Sequence, residues 1–470
     1  MTLLRLRRHV KLNTSRFASV LLTATAFSMM PVGARSEPTA ARLSGLAAAD
    51  VWTLDRALNR ALEANPDIVA AKHDLERQEG ARIQYVARLL PSLSVSASVN
   101  ERSEGLVDTD LPASQAKPDV ALYGYDSRIE VRQLVFDGLS SWNQARRQSL
   151  LTKQAYLTLQ ATVGRVVSTV RQEFDAVLLR GSVVRAEERR VDEFVQLVDW
   201  TSRKHAVGDV ADFELLRAEA ELEGARADLA EANRALSQAE QAFRRILQIT
   251  DANRPIRLEG AFEPRRFDLP LEQAIAQAQA NRPDLQAAAL AVKAARRNEL
   301  SERGNYLPRL EVFASYGARS SYYDSGTRLD GWSYGAMGQW NLFEGGAARG
   351  RRISLRAERR GAEAKLSETE QGIVSRLHEL YDGLDQAKIA MEAQRKSVEM
   401  SGRASHDARR LYEEGQASLE QVLQAGMTFR RAETRLGEAV FNYNSTVSEI
   451  EFAIGNGTDG AERVPGVKKP

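Results

Sequence analysis

The 470-residue chain carries 65 Lys and Arg against 63 Asp and Glu, a net charge of only +2. This excludes the concentrated basic face that a nucleic-acid partner requires, while the length suffices for two or three ordinary domains. Cysteine is absent, so disulfides, thiolate metal sites, a cysteine nucleophile and a lipid-bearing cysteine are all excluded.

The N-terminus reads as a secretory signal peptide over residues 1–34. Arg5, Arg7, Arg8, Lys11 and Arg16 form a basic lead, an apolar run extends from Phe17 to Met30, and the small residues Gly33 and Ala34 follow. Cleavage is expected between Ala34 and Arg35. The run is too short for a membrane anchor, because a spanning helix needs about 20 apolar residues. No other segment comes closer to one, so an exported chain of this kind is soluble or crosses a membrane as β-strands.

From residue 51 onward the sequence repeats itself. Leu54, Ala57, Pro66, Asp67, Leu90, Pro91, Leu93, Val95 and Ala97 return as Leu271, Ala274, Pro283, Asp284, Leu307, Pro308, Leu310, Val312 and Ala314, at one offset (271 − 54 = 308 − 91 = 217). Phe136, Gly138 and Gly208 return as Phe343, Gly345 and Gly415 at a second offset (343 − 136 = 415 − 208 = 207). The difference implies a ten-residue insertion between Arg102 and Ala121, where Gly105, Pro112 and Pro118 mark a loop. The units are residues 51–249 and 271–454, with a linker over 250–270 and a tail over 455–470.

Each unit begins with a helix near Leu54 or Leu271. Pro66 and Pro283 interrupt it, since the residue before a proline is biased away from helix. A second helix runs toward Pro91 or Pro308, and strands follow. Residues 92–100 alternate strictly between hydroxyl or amide and apolar side chains, a period of two that places the two sets on opposite faces of a sheet. The return strand puts Tyr125, Ile129, Val131 and Val135 on one face and Asp126, Arg128, Glu130 and Arg132 on the other. In the second unit Trp332, Tyr334, Ala336, Trp340 and Leu342 share one parity. The segments approach the about 9–11 residues of a tilted membrane strand, and Tyr and Trp gather toward their ends as in interfacial girdles. Four strands cannot close a membrane barrel, whose smallest single-chain examples have about eight. Several chains must therefore share one.

Between Gly138 and Gly208 the composition is helical, with Gly164 and Gly181 as weak points. Roughly 70 residues at 1.5 Å each make a rod of about 100 Å. A return helix runs from about Val210 to Leu247. Apolar residues keep a seven-residue beat: Val170, Val177, Val184, Val191 and Val198 outgoing, Leu215, Leu222, Leu229, Leu236 and Phe243 returning. The second copy answers with Leu377, Leu384, Met391 and Val398, then Val422, Phe429, Leu436, Tyr443 and Ile450. A sustained heptad predicts coiled-coil packing, and the turns at Gly208 and Gly415 make each pair an antiparallel hairpin. The fold class is therefore mainly α with membrane β.

No catalytic constellation, cofactor site or metal site is found. His9, His73, His205, His378 and His406 are scattered, without the i, i+4 spacing of a metal pair. Gly455, Gly457 and Gly460 fit a dinucleotide-binding pattern, but they follow a helix instead of a strand and read as a helix terminus.

Leu54–Pro91, the segments NRPDL at 281–285 and YLP at 306–308, WNLFEGG at 340–346 and LYEEGQASLEQVLQA at 411–425 together resemble TolC-type outer membrane factors, nearly from Val51 to Gly455. The resemblance implies a homotrimer whose protomers each give four strands to one β-barrel in outer membrane lipid. Their helices would continue it as an α-barrel through the periplasm. It implies a passive duct of a tripartite efflux pump or type I secretion system, docked on a periplasmic adaptor (membrane fusion protein) and an inner-membrane ABC or RND transporter. The family's entrance gate corresponds to the turns at Gly208 and Gly415. Where that gate carries aspartates, this chain has Glu214, Gln421 and Gln424. Where it carries an arginine, this chain has Ala417, and Tyr412 matches a family tyrosine. The acidic ring is thinned to Glu214 with Glu420 nearby. The competing expectation is an exported coiled-coil structural protein, a periplasmic adaptor or adhesin. The duplication and the paired strands disfavour it.

Overall fold

The computed structural model describes residues 50–101, 123–208, 210–251, 256–320, 328–467 and 469. The expected signal cleavage at Ala34 and Arg35 and the expected insertion in the first unit lie outside the described residues. Each unit gives two short helices, a β-hairpin and two long helices. In the first these are α1 (Leu54–Ala64), α2 (Pro66–Ala87), β2 (Ser92–Glu101), β3 (Tyr123–Phe136), α3 (Ser140–Ala206) and α4 (Asp212–Leu247). In the second they are α5 (Leu271–Asn281), α6 (Pro283–Gly304), β5 (Arg309–Ser320), β6 (Arg328–Gln339), α7 (Ala347–Glu413) and α8 (Leu419–Ala453). Two three-residue strands, β1 (Asp50–Trp52) and β4 (Ile256–Leu258), pair in parallel.

The breaks before Pro66 and Pro283 fall where the prolines demand. Thr53 caps α1 by accepting the Arg56 amide at 3.3 Å, and Asn65 caps α2 by accepting the Asp67 amide at 3.0 Å. Arg282 stands at the second break, its guanidinium on Asp284. Gly164 and Gly181 do not interrupt α3, which is continuous for 67 residues.

The larger sheet is antiparallel, in the order β2-β3-β5-β6. Its two hairpins have the same register residue for residue under the repeat offsets. Leu93 faces Val131 as Leu310 faces Gly338, and Val95 faces Ile129 as Val312 faces Ala336. The apolar sets are therefore aligned across all four strands, as in the row Val95, Ile129, Tyr316 and Trp332. Two sequence expectations need correction. A β-bulge between Leu134 and Phe136 takes Val135 out of the ladder, so Phe136 pairs with Leu310 in its place. Trp340 and Leu342 lie beyond the end of β6.

The long helices pair as α3 with α4 and α7 with α8, and α3 also packs on α2, α6 and α8. Val170, Val177 and Val184 are buried, as are Leu377 and Leu384. On the return helices the heptad has a second row. Buried Ala218, Ala225 and Ala232 stand three residues after Leu215, Leu222 and Leu229, and Ala432 and Ala439 repeat this in α8. A large residue alternates with a small one along each seam, which lets neighbouring helices interdigitate.

The segments outside the repeats are built into the core. In the linker, Arg265 donates to Asp175 of α3 at 2.9 Å and to the Ser448 hydroxyl of α8 at 2.8 Å. Asn444 accepts the Arg265 amide and donates to the Glu263 carbonyl. The linker thus straps α3 to α8. Beyond α8, Thr458–Arg463 forms a 3-10 turn against α3, and Val464 is buried with Trp52, Leu159 and Phe243. Gly455, whose φ is +86°, lies so close to the Asn281–Arg282 backbone that a Cβ would sit 3.3 Å from it. The glycine series ends a helix and packs it down.

Candidate site at the hairpin tips and open flanks

The helix-to-helix turns are built on left-handed glycines, Gly208 at φ +80° and Gly415 at φ +76°, a conformation that side chains with a Cβ resist. After Gly415 the chain re-enters helix through a capping box. The Ser418 hydroxyl accepts the Gln421 amide at 3.3 Å, and the Gln421 side-chain oxygen accepts the Ser418 amide at 3.0 Å. Gln421 is thus tied to its own helix start. Gln424 is exposed.

The two tips meet through an apolar cluster of Phe194, Leu222, Ala225, Tyr412, Leu419 and Leu423, with Ala417 packed on it. The Trp200 and Tyr412 rings lie 5.0 Å apart. Burial pushes the Tyr412 phenol above its ordinary pKa, the Glu214 carboxylate adds to this, and the Thr201 hydroxyl opposes it. The structure therefore brings Glu214 and Tyr412 together. It also pairs Arg217 of α4 with Glu420 of α8. Arg217 stands nine residues after Gly208, as Gln424 stands nine after Gly415. The pairing is not legible in the sequence because Arg217 and Glu420 come from different repeat units. Glu420 is thus ion-paired across the two tips with Arg217.

Away from the tips the sheet leaves its apolar face uncovered. Leu93, Val95 and Val99 are 69%, 74% and 81% exposed, and Trp332 and Tyr334 are 79% and 85% exposed. A side chain at the rim of each unit fastens sheet to helix. Gln133 donates to the Leu89 carbonyl at 3.1 Å, and the Trp340 indole donates to the Tyr306 carbonyl at 3.0 Å. Gln133 and Trp340 are mates under one repeat offset, and Leu89 and Tyr306 under the other.

The two units differ in how much neighbour they have. α3 buries residues from Ser140 to Thr201, whereas those of α7 are confined to Ile373–Leu384, Ser401 and Tyr412. Among the described residues β2 and β6 are the sheet edges, with no strand paired on their outer sides.

An apolar strand face above long paired helices, with both flanks open, is one segment of a ring: part barrel, part helical tube. A family model described as outer membrane efflux protein matches the chain twice, over residues 57–247 and 274–456, and the chain belongs to that family. No curated protein matches it. Among solved structures it is similar to the CmeC outer membrane channel of Campylobacter jejuni, at 18% identity over 86% of each chain and a TM-score of 0.75. It is also similar to the outer membrane protein VceC of Vibrio cholerae, at 15% identity over 86% of this chain and 96% of that one, TM-score 0.71. The open state of the Neisseria gonorrhoeae MtrE outer membrane channel follows at 19% identity, 86% and 89% coverage, and TM-score 0.68. At these identities the likeness is one of fold.

Proposed function

We propose that three copies close into one β-barrel and one helical tube, forming a passive exit duct of the outer membrane with a long periplasmic portion. The observation that carries this is the pair of open flanks, which the internal repeat relates to a contact already made inside the chain. Between units, β3 pairs with β5, placing Ile129 opposite Tyr316. Carried through the repeat offsets, that pair becomes Ala336 of one copy opposite Val99 of the next. Likewise the α3–α6 contact becomes α7 of one copy against α2 of its neighbour. An unpaired edge ladder is costly in lipid unless the barrel closes, and an apolar sheet face is costly in water unless lipid covers it.

In this reading the tips around Gly208, Glu214, Tyr412, Gly415, Gln421 and Gln424 form the periplasmic entrance. They face a periplasmic adaptor and an inner-membrane ABC or RND transporter, within a tripartite efflux pump or a type I secretion system. The duct does no chemistry of its own.

The chain has no cysteine, which makes the test clean. Val99→Cys with Ala336→Cys in one chain should give a disulfide-linked trimer on non-reducing gels, and either substitution alone should not. The purified trimer should conduct ions in planar bilayers. Monomers that never cross-link would overturn the ring, and cross-linked trimers without conductance would return the protein to the class of structural coiled coils.

A further inference from the structure

We infer that the lumen where barrel meets tube presents a layer of guanidinium groups and favours anions, so that anionic groups of a cargo are drawn to it. The inference rests on the duct reading above. The polar face of the sheet carries nearly balanced charge, but the two signs are not equally exposed. Glu311 of β5 lies between Arg132 of β3, at 3.6 Å, and Arg309 of its own strand. Its side chain is 12% exposed, whereas those of Arg132 and Arg309 are 47% and 60% exposed. Glu130, 18% exposed, lies beneath Arg132 at 2.6 Å.

The same layering continues at the start of α7. Arg351, 45% exposed, covers Glu302 at 10% and Glu344 at 30%, both at 2.6 Å. Arg88, Arg132, Arg309 and Arg351 border one polar hollow of about 850 Å³ under the rim of the sheet, together with Glu311, Glu344 and Asp137. Asp137 is occupied in accepting the Ser141 amide at the start of α3. Higher up, Arg128 and Asp126 are about equally exposed and add little to either sign.

In each of the layered pairs the carboxylate is sunk and the guanidinium is turned to the water. A narrow passage with low-dielectric walls focuses the field of the charges that line it, and an exposed charge is felt in the lumen within a Debye length of about 8 Å. β3 and β5 are the inner strands of the sheet, so a neighbouring copy joined at β2 or β6 leaves Arg132 and Arg309 uncovered.

The deciding variant neutralises Glu130, Arg132, Arg309 and Glu311 together, each to Gln, which leaves the formal charge unchanged. In planar bilayers under a KCl gradient, the parent channel should prefer chloride over potassium. The variant should lose that preference by about twofold or more in permeability ratio. Arg132→Lys with Arg309→Lys should keep it. If the fourfold variant does not assemble, Arg309→Gln alone leaves Glu311 paired with Arg132 and should shift the reversal potential in the same direction. A conducting trimer whose selectivity is identical in parent and variant refutes the arginine lining alone. A protein that assembles but never conducts refutes the duct itself.

Discussion

Gly138 and Gly304 come from different repeat units and touch backbone to backbone. A Cβ on Gly138 would lie 2.3 Å from the Gly304 carbonyl oxygen, and one on Gly304 would lie 2.6 Å from that of Gly138. The repeat made Gly138 conspicuous as a helix start, but nothing in the sequence marked Gly304, because its role depends on a residue far away in the chain. In the second unit the mate of Gly138 is Gly345, at φ +60° and with open space around it, which is where a neighbouring copy would come. The rim contacts were illegible for a related reason. Gln133 and Trp340 make the same tie to a helix-end carbonyl, yet as residue types they share only an N–H. Gly304→Ala puts a better helix former at the end of α6, so propensity alone would make it neutral or stabilising. The close approach makes it destabilising by about 1–3 kcal/mol. Thermal unfolding of the purified variant decides between them, and a melting temperature at or above that of the parent would refute the contact.

Elements with a strong period or a proline were read from sequence almost to the residue, since amphipathic burial and the steric demand of proline both act locally. The helix breaks at Pro66 and Pro283 and the facing of β2 and β5 are cases in point. β1 and β4 are three residues each, too short to show any period, and their pairing was missed. The alanine row of the return helices was hidden because alanine is common on every face of a helix. At the hairpin tips the types of residue were legible but their partners were not. Gln421 is used in a helix cap and Glu420 in an ion pair with Arg217, which leaves Glu214 as the carboxylate beside Tyr412 at the proposed entrance. The two charged changes should therefore act in opposite directions. Glu214→Gln should weaken block by divalent cations added at the tip side of a single channel. Arg217→Gln frees the Glu420 carboxylate and should strengthen it. Equal block in parent and both variants would remove these residues from the entrance.

At the scale of the whole molecule, duplication was the most legible property and the ties between the units were the least. The sequence marks residues 250–270 as a linker and 455–470 as a tail; the first contains the Arg265 strap and the second packs Val464 into the core of the first unit. Such segments have no periodicity of their own, because each is shaped by the helices it crosses. The strap meets one buried acid, Asp175, and other acids along the helices are partly buried. Burial is the main cause holding Glu173, Asp175 and Glu240 above the usual carboxylate pKa, with Arg245, Arg265 and Arg244 respectively opposing it. Glu433 of α8 is raised for the same reason. A carboxyl whose folded pKa exceeds its unfolded value holds its proton more tightly when folded. Its contribution to stability is present below the unfolded pKa and is lost as the pH rises through the folded one. Glu299 works the other way: Arg303, Arg359 and Arg356 overcome its burial and lower its pKa, so its contribution is lost as the pH falls below the ordinary range. Thermal stability should accordingly rise as the pH falls from neutrality toward the ordinary carboxylate range and fall again in stronger acid. Glu173→Gln removes one of the raised groups, and should melt higher than the parent at neutral pH with the gap narrowing as the pH falls toward the ordinary carboxylate range. A gap that is independent of pH would mean that Glu173 is charged at no cost in the folded protein, and that its burial between α3 and α4 is relieved by Arg245.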